Sequence, residues 1–388
     1  MSKKYTALQM MEKLVAFPTV SSRSNLELVE FVRKYLAGHG VKSHLVYDKS
    51  GTKANLYAHI GPDIEGGVIF SGHTDVVPVE GQNWDTDPFL VVEKNGKYFG
   101  RGTCDMKGFN AIVLSLVPQM VKADLKRPIQ IALSCDEEIG CLGAPHMISQ
   151  MRETLPRASV VVVGEPSMMK VVTGHKGSMG FTTNVRGLEV HSSLMHKGVS
   201  AVMVGARLIE WLRCRFEENK AGTPNGGDSM FEPPFTTLHV GTIKGGSATN
   251  ITARECSFSC DIRCPPSQNP EDWFHRYRDF AEQVEAQMHE ISPQTGIEIV
   301  ARDMIPALCP EENGSAETLA RQITGDNGTH VVSYSTEAGQ FQRENYSVVV
   351  CGPGSIEQAH QPNEYITREQ FQSGTEFVRR IITKLSHH

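Results

Sequence analysis

Four short apolar runs constrain the fold of this chain more than any other feature, because each leads into histidine or acidic residues. Val68-Ile69-Phe70 is followed by Ser71-Gly72-His73, with Asp75 two residues further on. Ile129 to Cys135 ends in Asp136-Glu137-Glu138, and Val160 to Val163 ends in Gly164-Glu165-Pro166. Val348 to Cys351 leads through Gly352-Pro353-Gly354 to His360-Gln361-Pro362-Asn363-Glu364. Strands are expected at 55–60, 67–72, 129–135, 159–164 and 347–351, with helices at 107–122, 141–152, 315–324 and 368–385. Strands alternating with helices predict an α/β domain with a mixed, mostly parallel sheet flanked by helices. Ligands of open α/β sheets gather at the carboxyl ends of strands, where these polar residues fall.

The pattern changes after residue 178. A strand at 179–186, a helix at 197–219, strands at 235–244 and 253–264, a helix at 270–290 and a strand at 296–305 follow in order. That β-α-β-β-α-β order predicts an inserted ferredoxin-like α+β domain. The expected organisation is a discontinuous metal-binding domain, 1–178 and 307–388, interrupted by an inserted domain at 179–306. Near the N-terminus, helices are expected at 5–17 and 25–38. Ser24 is the expected N-cap of the second, with Glu27 completing a capping box and Gly40 beyond the helix end.

The chain has 388 residues, 39% hydrophobic and 21% charged, enough for two soluble domains. Its formal net charge is −6, and no basic cluster suggests a nucleic-acid partner. No apolar run approaches the ~18 residues of a membrane span. The first residues read as an amphipathic helix without a long apolar core or small-residue cleavage site. Nine cysteines without a C-x-x-C pair suit a reducing cytoplasm better than a disulfide framework. Cys256, Cys260 and Cys264 have the spacing of a metal cluster, but they share the apolar phase of a period-2 pattern. They are therefore expected on the buried face of a strand.

Taken singly, each acidic or imidazole group has an ordinary alternative. A strand-end histidine can be structural, Glu137-Glu138 a solvated loop end and Glu165 a helix-capping acid. Taken together, two histidines and several carboxylates on one rim would repel unless cations joined them. Mixed nitrogen and oxygen ligands suit zinc or a similar transition ion. A shared carboxylate suits a two-metal site.

SGHTDVVP (71–78), GRGTCDMKG (100–108), Glu137-Glu138, GEP (164–166) and His360 resemble the dinuclear zinc amidohydrolases. That family includes aminoacylases, succinyl-diaminopimelate desuccinylases, glutamate carboxypeptidases and acetylornithine deacetylases. The resemblance covers nearly the whole chain, the inserted domain included. STEAGQF (335–341), GTIKGGSATNITARECSFSCDIR (241–263) and CGPGSIEQAHQPNEYI (351–366) are most similar to the acetylornithine deacetylase branch. Asn363 stands where that branch is expected to have aspartate. Thr252-Ala253 stands where isoleucine or valine and then proline are usual.

The resemblance implies that Asp105 bridges two divalent ions, zinc or cobalt. His73 and Glu165 complete one site, and Glu138 and His360 the other. Asp75 sits behind His73 and orients it, and Glu137 is the general base. The implied reaction is hydrolysis of the N-acetyl amide of N2-acetyl-L-ornithine by a hydroxide bridging the metals, a step of arginine biosynthesis. Other N-acyl amino acids, or peptides cleaved by a carboxypeptidase or dipeptidase, are the alternative substrates. A non-catalytic binding protein on the same fold is the remote one. The inserted domain is implied to form a homodimer and to act as a lid. His191, by itself readable as a helix-start residue, is implied to reach the partner protomer's site as an oxyanion donor. Asn250 and Arg263 are candidates for the substrate α-carboxylate, with a surface salt bridge as the alternative for Arg263. Glu337 is a candidate reader of a cationic side chain.

Overall fold

The computed structural model describes residues 3–387 and divides into two units. The first holds residues 1–174, 308–330 and 336–388, and the second 175–307 and 331–335. The return of 331–335 to the second unit has no counterpart in the sequence pattern.

The large sheet orders its strands as Ser43–Tyr47, Ala54–Ile60, Ile129–Ser134, Val68–His73, Val160–Pro166, Ser347–Gly352, Val172–His175 and His330–Val332. The four strands from Ile129–Ser134 to Ser347–Gly352 are parallel, and antiparallel pairing appears on both sides of them. These four are the apolar runs seen in the sequence. They are buried along almost their whole length, as expected of strands covered on both faces. Because they run in parallel, their polar sequels all emerge at one rim.

The helix Lys107–Ser115 is buried over all but its last residue. Its close approach explains the glycines of two motifs. A Cβ on Gly72 would lie 2.4 Å from Asn110 Oδ1, and one on Gly164 would lie 2.0 Å from the Phe109 ring. Any larger residue would push the helix off the strand ends. The expected helix at 107–122 is broken at Leu116, and a short second segment, Val117–Lys122, begins with Pro118 in its first turn.

A small antiparallel sheet joins Tyr365–Thr367, Lys97–Phe99 and Val92–Lys94. It zips Tyr365 to Phe99. This brings the segment after His360 against the Gly100–Asp105 turn.

The second unit carries an antiparallel sheet in the order Thr237–Gly245, Glu255–Cys264, Gly177–Arg186, Gly296–Ala301. The helices Ala201–Ala221 and Pro270–His289 complete the ferredoxin-like β-α-β-β-α-β order. Its core includes Phe181, Leu208, Phe258, Ile262 and Tyr277. Cys256, Cys260 and Cys264 alternate with less buried residues and pack in this core, as the period-2 pattern predicted.

The capping expectation holds in part at the second helix, and a full capping box forms unannounced at the first. Helix Leu26–Gly38 is preceded by Asn25, which makes no side-chain cap. Asn25 is engaged instead with the backbone of Ala54 and the hydroxyl of Thr74. Ser24 Oγ accepts from the Leu26 amide at 3.2 Å, as a cap does, and its hydroxyl donates to the Thr52 carbonyl at 2.6 Å. A full capping box forms on helix Ala7–Val15, between Thr6 and Gln9. Thr6→Ala should therefore lower stability by about 1 kcal/mol, read as a shift in the urea midpoint; an unchanged midpoint would show this first helix does not depend on its cap.

Candidate metal centre

The rim of the first unit collects six of the expected residues in one cluster. His73 ends its strand and is buried; its Nε2 lies 2.9 Å from Asp105 Oδ1 and 3.6 Å from Glu165 Oε1. His360 Nε2 lies 2.9 Å from Glu138 Oε2 and 3.3 Å from Asp105 Oδ2. Asp105 thus touches both imidazoles, one through each oxygen. Donor atoms of His73, Asp105 and Glu138 lie within 4.8 Å of one another, and so do those of His73, Glu137 and Glu165. The Cys141 thiol donates to Glu137 Oε1 at 3.3 Å.

The electrostatics of the cluster are those of a cation site. Burial first, and then the neighbouring carboxylates, push Glu138 and Glu165 above the usual carboxylate range. Burial carries Glu137 up to about 8. Burial opposes the charged form of His73, yet its hydrogen bond to Asp105 and the field of Glu165 hold it well above its ordinary value. Hydrogen bonds to Asp105 and Glu138 raise His360 to about 10. Burial works against ionised Asp105, and hydrogen bonds from His360 and His73 outweigh it and keep the carboxyl below its normal value. Two buried oxygens, Oε1 of Glu138 and Oε1 of Glu165, have no hydrogen-bond partner. Buried acceptors without donors are costly, and a divalent ion satisfies them. Two imidazoles, three carboxylates and these free oxygens fit a pair of transition ions.

Asp75 does more than the sequence suggested. The His73 Nδ1 contact is to the backbone carbonyl of Asp75 at 2.9 Å, and the carboxylate is 3.7 Å away. The carboxylate accepts instead from the backbone amides of Glu137 at 3.2 Å and Glu138 at 3.4 Å, and from the Ser21 hydroxyl at 2.7 Å. Asp75 therefore fixes the loop that carries the expected base and a ligand. Glu337 is buried, and its two oxygens accept from the hydroxyls of Ser71 and Ser134, each at 2.6 Å. This is not the open position expected of a group that reads a substrate's cationic side chain.

The remaining candidates belong to the second unit. His191 is exposed, its Nδ1 bonded to Ser193. It bridges Ile251, and Ser192 donates to the Asn250 carbonyl at 2.9 Å. His191 and Asn250 are thus neighbours. Arg263 lies near the other end of strand Glu255–Cys264, paired with Asp261 at 2.8 Å. At the usual rise of a strand, that separation is on the order of 25 Å. A single copy of this unit does not bring Asn250 and Arg263 to one carboxylate.

The profile of the Peptidase family M20/M25/M40 matches residues 69–384. The chain belongs to this family. It is 32% identical to the acetylornithine deacetylase of Pasteurella multocida over 98% of both chains. Among solved structures, an M20 family metallo-carboxypeptidase from Sulfolobus solfataricus shares the fold at a TM-score of 0.79. Its sequence identity is 18%, over 98% of this chain and 99% of that one. A Bacillus subtilis protein described as a dinuclear metal binding peptidase of the M20 family superposes at a TM-score of 0.62. It is 14% identical, over 97% of each chain. As a member of this family, the protein is a metal-dependent amidohydrolase.

Two residues that hold the M20 cluster escaped the sequence reading. Glu364 is buried, and its carboxylate accepts from the backbone amides of Gly102, Cys104 and Asp105 at 2.9–3.0 Å. It also pairs with the buried Arg101 guanidinium at 2.7 Å. The signal was present: an acid four residues after His360 and an arginine four before Asp105, both in segments otherwise read for their ligands. Glu364→Gln leaves Arg101 buried without its counter-charge and should cost about 3–5 kcal/mol by urea denaturation. A loss below 1 kcal/mol would show that the Asp105 turn holds itself.

Proposed function

We propose that this chain hydrolyses the N-acetyl amide of N2-acetyl-L-ornithine to L-ornithine and acetate, in the cytoplasm, for arginine biosynthesis. The observation that carries the chemistry is the cluster of His73, Asp105, Glu138, Glu165 and His360 with Glu137 at its side. The choice of substrate rests on the curated relatives, of which those from Pasteurella multocida and Aliivibrio fischeri are named acetylornithine deacetylase at 32% and 31% identity.

Two divalent ions, zinc or cobalt, held by His73, Asp105 and Glu165 and by Asp105, Glu138 and His360, would supply Lewis acidity to the water and the acyl oxygen. Glu137 accepts the water proton as the oxygen bonds to the acyl carbon. It returns that proton to the nitrogen as the carbon–nitrogen bond breaks. The Cys141 thiol holds one oxygen of Glu137, which limits the carboxylate's rotation. Asp75 keeps Glu137 and Glu138 in register through their amides.

His191 supplies a second oxyanion donor, reaching the site of the partner protomer in a homodimer formed through the second unit. Asn250 and Arg263 bind the α-carboxylate. Their separation within one copy supports a site assembled from two chains.

The deciding experiment is a panel of N2-acetyl-L-ornithine, N-acetyl-L-methionine, N-succinyl-diaminopimelate and dipeptides, assayed with and without chelator. The highest kcat/KM should fall on acetylornithine, and chelation should abolish it. Preference for the succinyl compound or a dipeptide would reassign the substrate, and chelator-insensitive hydrolysis would overturn the metal chemistry. Glu137→Gln should lower kcat by roughly 10²–10⁴-fold with both metals retained. His191→Ala should also lose most of kcat with its metals in place. Co-expressing it with Glu137→Gln should restore hydrolysis, because mixed dimers contain one intact composite site. No recovery would remove His191 from the partner's site.

A further inference from the structure

His360 is the least protected member of the cluster. Its side chain is 52% exposed, against 1% for His73. Its backbone is left-handed, with φ of 64°, and Asn363 in the same loop has φ of 57°. Such a loop keeps its shape only if its neighbours determine it. Four anchors do so, one of them the bond from Arg101 Nη1 to the Gln361 carbonyl at 3.3 Å. Glu364 is locked to the Asp105 turn, as described above. Asn363 Oδ1 accepts from the Asp85 amide at 2.9 Å. Gln82 Nε2 donates to the His360 carbonyl at 2.8 Å.

We infer that Gln82 is a positioning residue for His360, and through it sets how tightly the metal position shared by His360 and Glu138 is held. The amide is used at both ends. Its oxygen accepts from Arg101 Nη2 at 2.6 Å and from Trp84 Nε1 at 3.1 Å. Its nitrogen faces only an acceptor, the His360 carbonyl. The Arg101 guanidinium lies 5.1 Å from the centre of the Trp84 ring and is paired with Glu364. Gln82 is therefore fixed from a buried charge pair, and it passes that rigidity to an exposed ligand. Partners behind metal ligands commonly govern affinity by ten- to a hundredfold when removed. Glutamine is required by the hydrogen-bond polarity. Glutamate has the same shape and would keep the bonds to Arg101 and Trp84, but it would set an acceptor against the carbonyl.

This inference rests on the two-metal reading, and the experiment separates the two. Apoenzyme is titrated with Co²⁺ and followed by calorimetry and by the visible absorption of the bound ion. Wild type should take up two Co²⁺. Gln82→Glu and Gln82→Met should bind one Co²⁺ as wild type does and the second at least about tenfold more weakly. The unchanged first step also reports that the variants are folded. If both steps keep their affinities in both variants, or both weaken equally, Gln82 has no such role. If wild type binds a single Co²⁺, the two-metal reading falls and this inference with it.

Discussion

A buried carboxylate holding three consecutive-turn amides is the interaction on which the metal centre depends. Glu364 takes the N–H groups of Gly102, Cys104 and Asp105, which would otherwise be unpaired donors inside the protein. The turn can then present the Asp105 carboxylate to both histidines instead of spending it on local capping. The small sheet that zips Tyr365 to Phe99 delivers Glu364 to that place. Asp105 and the segment that carries His360 thus share one support.

The same logic recurs at Asp75. Four parallel strands direct acids and imidazoles to one rim, where burial and mutual repulsion disfavour ionised carboxylates. Peptide N–H groups oppose that penalty without adding a competing side-chain charge. Asp75 gathers two amides and the Ser21 hydroxyl, and Glu364 gathers three amides and a guanidinium. Glu138 and Glu165, which lack such donors, each keep one buried oxygen without a hydrogen-bond partner.

The parallel strands and their polar sequels were legible because apolar runs and their endings are local properties. So was the buried face of the second unit's sheet, where period-2 alternation placed three cysteines in the core. Ser43–Tyr47, Val172–His175, His330–Val332 and the short strands at 92–94, 97–99 and 365–367 were missed. They are edge or very short elements whose pairing, not their composition, makes them strands. Ser24 was legible in part: its oxygen accepts from the Leu26 amide as a cap does, while its proton goes to a carbonyl brought in from residue 52. The residues of the cluster could be listed from sequence, whereas the partners of Asp75, Glu337 and Glu364 are set by contacts across dozens to hundreds of residues.

The amides of Glu137 and Glu138 both end on the one carboxylate of Asp75. Two adjacent acids of the cluster are consequently a single mechanical part. Neither can be displaced while the other stays still. A substitution at Asp75 therefore reaches two members of the cluster at once, although its carboxylate is 3.7 Å from the nearest imidazole nitrogen.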